Sequence, residues 1–176
     1  MPSIALFPGS FAPFTVGHAA IVRRALTLFD RVIIAIGINS EKTPGNPEDR
    51  VAAIREQYTG DPRVEVCAYR TLTADLVKKT GACCIVRGIR NSKDLAYENE
   101  TARANYTLFG VETVYLLAEP ELREVSSSLV RELQSHGKDI RQLLPQKQIP
   151  ANTATSRTTG TEGNLLAEKH SPQGKK

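Results

Sequence analysis

What the chain lacks narrows it first. None of its apolar runs approaches the roughly 20 residues that a membrane-spanning helix needs, so no membrane partner is expected. Met1-Pro2-Ser3 carries no basic segment ahead of its short apolar stretch and does not read as a secretory leader. The cysteines, Cys67, Cys83 and Cys84, are odd in number and contain no C-x-x-C spacing. That argues against a disulfide framework and against a zinc site, and it predicts reduced thiols in a cytoplasmic protein. Neither G-x-G-x-x-G nor G-x-x-x-x-G-K-[ST] occurs, and no internal repeat is visible.

Broad positive charge is also missing. The chain carries +4 over 176 residues, and half of that belongs to residues 151–176. The preceding 150 residues hold only +2, too little for the basic surface of a nucleic-acid binder. Any positive field must be local, which points to a small anionic ligand. With 40% apolar and 24% charged residues, what remains is an ordinary globular domain with a real core.

Short apolar runs alternate with segments of helical period. Strands are predicted at Ile4–Phe7, Arg31–Ile38, Val64–Cys67, Cys83–Val86 and Val111–Leu117. Helices are predicted at 17–29, 48–58, 73–80, 92–109 and 126–135, with a short last one at 138–144. Gly81, Gly110 and Gly137 stand where three of them should stop. Such alternation implies right-handed βαβ units and an α/β fold built on a doubly wound, parallel, five-stranded sheet. After Pro150 the pattern fails. Residues 1–150 therefore read as the domain, and 151–176 as a disordered, low-complexity tail with one apolar pair, Leu165-Leu166.

An open parallel sheet binds ligands beyond the carboxyl ends of its strands. Three segments fall there. Between the first strand and helix lies Pro8-Gly-Ser-Phe-Ala-Pro-Phe-Thr-Val-Gly-His18. Thr15 is placed to cap the helix, and His18 sits in its first turn, where unpaired N–H groups favour an anion. After the fourth strand, Arg87-Gly88-Ile89-Arg90 predicts a short cationic loop suited to phosphate oxygens. Ser126-Ser127-Ser128 opens the helix after the last strand and offers a cap, free amides and hydroxyls. Lys42, after the second strand, can add a point charge to the same crevice.

The loop ending in Thr15-Val-Gly-His18 resembles the (H/T)-x-G-H signature of the nucleotidyltransferase superfamily. With Lys42, Arg87-Gly-Ile-Arg90, Tyr97-Glu98 and Ser126-Ser-Ser128, the chain resembles the bacterial phosphopantetheine adenylyltransferases over roughly residues 3–145. The resemblance implies a Rossmann-like nucleotidyltransferase fold and transfer of an adenylyl group from ATP to 4′-phosphopantetheine. It further implies Mg²⁺ dependence, a homohexamer and a cytoplasmic location. Ser10, His18 and Lys42 would be catalytic. Ser10, Lys42, Thr73 and Arg87 would bind the phosphopantetheine substrate. ATP would meet Ser10, Phe11 and His18, then Gly88, Ile89, Arg90 and Glu98, and finally Leu122, Arg123, Glu124, Val125, Ser126, Ser127 and Ser128.

One departure stands out: Ala12 occupies a position where the family usually has Asp. The missing carboxylate is expected to weaken loop hydrogen bonding or metal organisation. Two rival readings follow, another small-substrate transferase on the same scaffold and a non-catalytic coenzyme A or nucleotide binder.

Overall fold

The computed structural model describes residues 1–38 and 46–146. Strands β1 (Ile4–Gly9), β2 (Arg31–Gly37), β3 (Val64–Tyr69), β4 (Cys84–Ile89) and β5 (Thr113–Leu117) alternate with helices α1 (Val16–Ala25), α2 (Pro47–Gln57), α3 (Thr73–Thr80), α4 (Ser92–Phe109) and α5 (Ser127–Ser135). All strand pairs are parallel, in the order β3-β2-β1-β4-β5. The chain winds outward from β1 to β3, then crosses back to β4. That reversal places the switch point between β1 and β4, at the middle of the sheet.

Strand alternation divides the core between the two faces of the sheet. Ala5, Phe7, Ile34 and Val86 point to the face covered by α1 and α2. Leu6, Ile33, Ala35 and Ile85 point to the other, against Ala74, Leu76 and Val77 of α3. Being buried on both sides, β2 reads as a continuous apolar run. Helix α4 differs from the rest, since none of its 18 residues is fully buried.

The register explains where a ligand can enter. β1 pairs with β2 along its whole length, from Ile4↔Arg31 to Gly9↔Ile36. With β4 it pairs only at Ala5↔Cys84 and Leu6↔Ile85. Beyond that point the two strands part, while β4 stays laddered to β5 as far as Ile89↔Leu117. The predicted cationic loop is therefore wrong in one respect: Arg87, Gly88 and Ile89 are the last residues of β4, held in line by β5.

Several boundaries also shift. α1 stops at Ala25, where the Thr27 hydroxyl donates to the Arg24 carbonyl and Leu26–Phe29 continue as turns. Residues 138–144 give only one 3-10 turn, Arg141–Leu143. There the Asp139 carboxylate takes the Arg141 backbone N–H at 3.0 Å, the side-chain competition that caps short turns and stops them propagating. Cys83 lies just before β4 and is exposed, while Cys84, the first residue of β4, is buried. Asn46 caps α2 with Pro47 in its first turn. The tail expected at 151–176 lies outside the described residues.

Gly88 sets the approach of α1 to the sheet. A Cβ there would lie 3.0 Å from Cγ1 and 3.2 Å from Cδ1 of Ile21. Gly88→Ala should therefore lower stability by about 1–3 kcal/mol through overpacking. Gly88→Ala combined with Ile21→Val should recover part of that loss, because it removes Cδ1, one of the two colliding carbons, and frees the other to shift. Urea unfolding of both proteins checks this; an equal loss in single and double variants would place the strain elsewhere.

Candidate active site

The crevice opened by the parting strands is lined from three directions, and its first wall is the loop between β1 and α1. Phe11 takes a left-handed backbone conformation, φ 46°, unusual for a bulky residue. Packing holds it there: its ring is 2% exposed and lies 5.2 Å from Phe7, 5.4 Å from Phe14 and 5.1 Å from His18. Gly9 makes room for this ring, since a Cβ at that position would sit 2.8 Å from Phe11 Cζ. Turned in this way, the loop leaves Ser10 exposed at the crevice.

Thr15 caps α1, as the sequence predicts, and its partner in the reciprocal cap is His18. His18 Nδ1 accepts the Thr15 backbone N–H at 2.9 Å, and the His18 N–H points back to Thr15 Oγ1 at 3.4 Å. With Nδ1 engaged as an acceptor, the ring proton belongs on Nε2, which is left as a donor for a ligand in the cavity that His18 lines. The ring stacks on Phe14 at 5.4 Å. Desolvation, followed by the positive charges of Arg87 and Arg90, lowers its pKa from 6.5 to about 4. At neutral pH His18 is an uncharged hydrogen-bond donor.

The second wall is the end of β4. Arg87 donates through Nη1 to the Pro8 carbonyl, across the gap where the β1–β4 ladder has ended. Its Nε donates to Glu98 Oε2 at 2.7 Å, and its Nη2 to Glu98 Oε1. Arg90 makes the same side-on contact with Asp94, Nε to Oδ2 at 2.8 Å and Nη2 to Oδ1 at 3.1 Å. The third wall is the start of α5, capped by the Ser126 hydroxyl on the Leu129 N–H at 3.1 Å. Ser127 Oγ donates to the Pro13 carbonyl at 2.8 Å, and Arg131 Nη1 reaches the Ala12 carbonyl at 2.5 Å. These two bonds tie the β1–α1 loop to α5.

Two adjoining cavities occupy the crevice. The larger, about 290 Å³, takes in Ser10, Phe11, His18, Gly88, Arg90, Glu98, Leu122, Val125 and Ser126–Ser128. The smaller, about 160 Å³, includes Thr73 with Tyr69, Tyr97 and Asn105. Pro8, Gly9, Arg87 and Glu98 line both. The structure thus brings most of the predicted residues together.

Three predicted residues are not brought in. The Ile89 side chain is buried in the core, and its carbonyl accepts the Ala118 N–H at 2.8 Å. Arg123 and Glu124 are exposed and outside both cavities. Lys42 lies outside the described residues. Ala12 is 8% exposed and lines neither cavity, so a metal-ordering role for a side chain at that position is not supported.

Sequence reading missed Asp94 and Arg131. Asp94 was legible in principle, because it follows Arg90 and precedes Glu98 by four residues each, one helical face. Arg131 carries no such signal, since an arginine late in a helix start is usually solvated. Among the described residues no group of three or more His, Cys, Asp or Glu side chains is placed to hold a metal ion.

The cytidylyltransferase-like family model matches residues 6–133. The phosphopantetheine adenylyltransferase of Bacteroides thetaiotaomicron is 49% identical over 143 residues, covering 81% of this chain and 95% of the relative. That of Porphyromonas gingivalis is 50% identical over 145 residues, covering 82% and 95%. Among solved structures, a bifunctional NMN adenylyltransferase/ADP ribose pyrophosphatase from Francisella tularensis superposes with TM-score 0.62 at 18% identity, over 84% of this chain and 46% of that one. This chain spans under half of that protein's length, and the likeness is one of fold.

The depressed His18 pKa has a signed consequence for stability. The unfolded chain binds a proton at His18 below about pH 6.5, whereas the folded chain does so only near pH 4. Stability contributed by the neutral ring is therefore complete above pH 6.5 and is lost as pH falls toward 4, on the order of 3 kcal/mol in all. Denaturant midpoints at pH 7 and pH 5 should fall further in the wild type than in His18→Gln. Equal slopes in the two proteins would show that His18 titrates as an exposed histidine does.

Proposed function

This chain belongs to the cytidylyltransferase-like family and, within it, to the phosphopantetheine adenylyltransferases, and from that premise we infer how its residues divide the work. It is a nucleotidyltransferase of coenzyme A biosynthesis, transferring the adenylyl group of ATP to 4′-phosphopantetheine with release of pyrophosphate. The observation that carries the division is the wall shared by the two cavities. ATP takes the larger one. Phosphopantetheine takes the smaller, where Thr73 lies and where Arg87 can meet its phosphate. The reacting phosphates of the two substrates then meet where the cavities adjoin, beside Pro8 and Gly9.

The chemistry asks for alignment and charge stabilisation rather than a base. A phosphate nucleophile is already anionic near neutral pH, and the departing pyrophosphate leaves as an anion. His18 Nε2–H donates to a phosphoryl oxygen, and the amides opening α1 and α5 supply further donors with their helix dipoles. Ser10 and Lys42 complete the donor set in this reading. Asp94 and Glu98, the carboxylates that line the larger cavity, are both engaged by arginines, so Mg²⁺ would be held by the ATP triphosphate rather than by these side chains and would supply charge neutralisation there.

A homohexamer in the cytoplasm goes with the family reading. The exposed apolar residues of α4, Tyr97, Tyr106 and Leu108 at 70%, 59% and 70%, support an assembly that covers them. The domain in this reading is residues 1–150. The non-catalytic reading rested on Ala12, and Ala12 meets neither cavity. The likeness to an NMN adenylyltransferase extends to fold alone.

Pyrophosphate release should require ATP and phosphopantetheine together, and nicotinamide mononucleotide should not substitute. His18→Ala should lower turnover by about 10²–10³-fold, the loss of one preorganised donor, while ATP binds with nearly unchanged affinity. Steady-state kinetics paired with calorimetric ATP titration checks both. An unaltered turnover number would remove His18 from the reaction.

A further inference from the structure

Two arginines end β4, and each is matched by one carboxylate of α4. Asp94 and Glu98 are four residues apart and share a face of that helix. Each receives Nε and Nη2 of its arginine, the side-on edge of the guanidinium. Glu98 is 12% exposed beside an Arg87 that is 27% exposed, and Asp94 is 24% exposed beside an Arg90 at 36%. Both pairs are well enough shielded to hold one geometry, unlike a solvated surface ion pair.

The donor count shows what is left over. A guanidinium has five N–H groups in a fixed plane. Arg87 gives two to Glu98 and one to Pro8, which leaves one on Nη1 and one on Nη2 with no hydrogen bond among the described residues. Arg90 gives two to Asp94 and leaves both of Nη1 and one of Nη2. On Arg90 the spare N–H groups of Nη1 and Nη2 include its whole end-on edge, a second bidentate surface for an oxyanion, and on Arg87 one N–H of each Nη stays open. Arg87 faces both cavities, and Arg90 only the larger.

We propose that Asp94 and Glu98 are positioning residues, each clamping one arginine side-on so that its spare Nη N–H groups meet the phosphate of a different substrate. Glu98 then acts through Arg87 on the phosphopantetheine phosphate, besides lining the larger cavity. Asp94 acts through Arg90 on the nucleotide. The assignment of substrates rests on the function proposed above; the clamp itself rests only on the hydrogen bonds.

Kinetics of the full chain separates the two roles. Glu98→Gln should raise the KM for phosphopantetheine about tenfold, the worth of one charge-assisted hydrogen bond, with the KM for ATP changed less than about threefold. Asp94→Asn should do the reverse. Glu98→Asp, which keeps the charge, should lie between wild type and Glu98→Gln. Equal shifts for both substrates in either variant, or none, would overturn the proposal. So would a lower KM for phosphopantetheine in Glu98→Gln, because the carboxylate would then be competing with the phosphate for Arg87.

A second arm does not depend on turnover. In ¹⁵N spectra with inorganic phosphate as the probe, the Arg87 and Arg90 Nε–H signals should stay protected when phosphate binds. Each should lose protection only in the variant of its own carboxylate. Loss of Nε–H protection in the wild type on adding phosphate would mean that the ion pairs exchange for the ligand, which overturns the clamp. If the wild type releases no pyrophosphate, the functional reading fails, and this arm alone decides the positioning.

Discussion

The early end of the β1–β4 ladder is the constraint on which the site depends. Two parallel neighbours at the middle of a sheet normally bond along their whole length, yet these pair at only two positions. Where they part, β1 has carbonyls facing a gap, and a buried carbonyl without a donor is unfavourable by about 1–3 kcal/mol. Arg87 resolves this by reaching from β4 to the Pro8 carbonyl. The same side chain that repairs the ladder lines both cavities and is bound to α4 through Glu98. Opening the sheet, bracing the opening and presenting a cation inside it are one structural event.

That economy limits the net charge of the pocket. Arg87 and Arg90 are offset by Glu98 and Asp94, and His18 is neutral, so these five groups sum to zero. The expectation of a local positive field has to be refined accordingly. The field comes from oriented donors more than from surplus cations: the open ends of two helices, the spare edges of two clamped guanidinium groups and one imidazole N–H. Donors of this kind do not reorganise when charge moves from one phosphate to another, which is what in-line transfer between two anions requires.

Much of this was legible in the sequence, and the limits have physical causes. Among the described residues periodicity located the five strands and five α-helices, and a threonine ahead of an apolar stripe marked the α1 cap. Arg87-Gly88-Ile89 reads as a loop because arginine and glycine are poor strand residues, but pairing with β5 overrides that preference. Ile89 was carried to the ligand by its place in a motif, whereas strand alternation turns it into the core. Ala12 was singled out for the side chain it lacks. Its backbone is what the fold uses, as the acceptor for Arg131, and no composition or spacing reveals which carbonyl of a loop will face a helix. Contacts between distant segments, such as Ser127 with Pro13, belong to topology.

The α1 cap shows how stability and reactivity meet in one pair of residues. A reciprocal cap ordinarily places a Glu or Gln at the third helical position. Here His18 fills it, and the same bond that satisfies the Thr15 backbone N–H fixes the ring's tautomer and orientation. Three phenylalanines then remove water from the ring and keep it uncharged. A charged imidazolium would bind phosphate more strongly in the ground state, but a positive ring at Nδ1 has no lone pair to accept the Thr15 N–H. Protonating His18 therefore costs the side-chain half of the reciprocal cap on the helix that opens at the ligand cavity. The fold thus favours the neutral ring twice, through its apolar surroundings and through the cap that needs the Nδ1 lone pair.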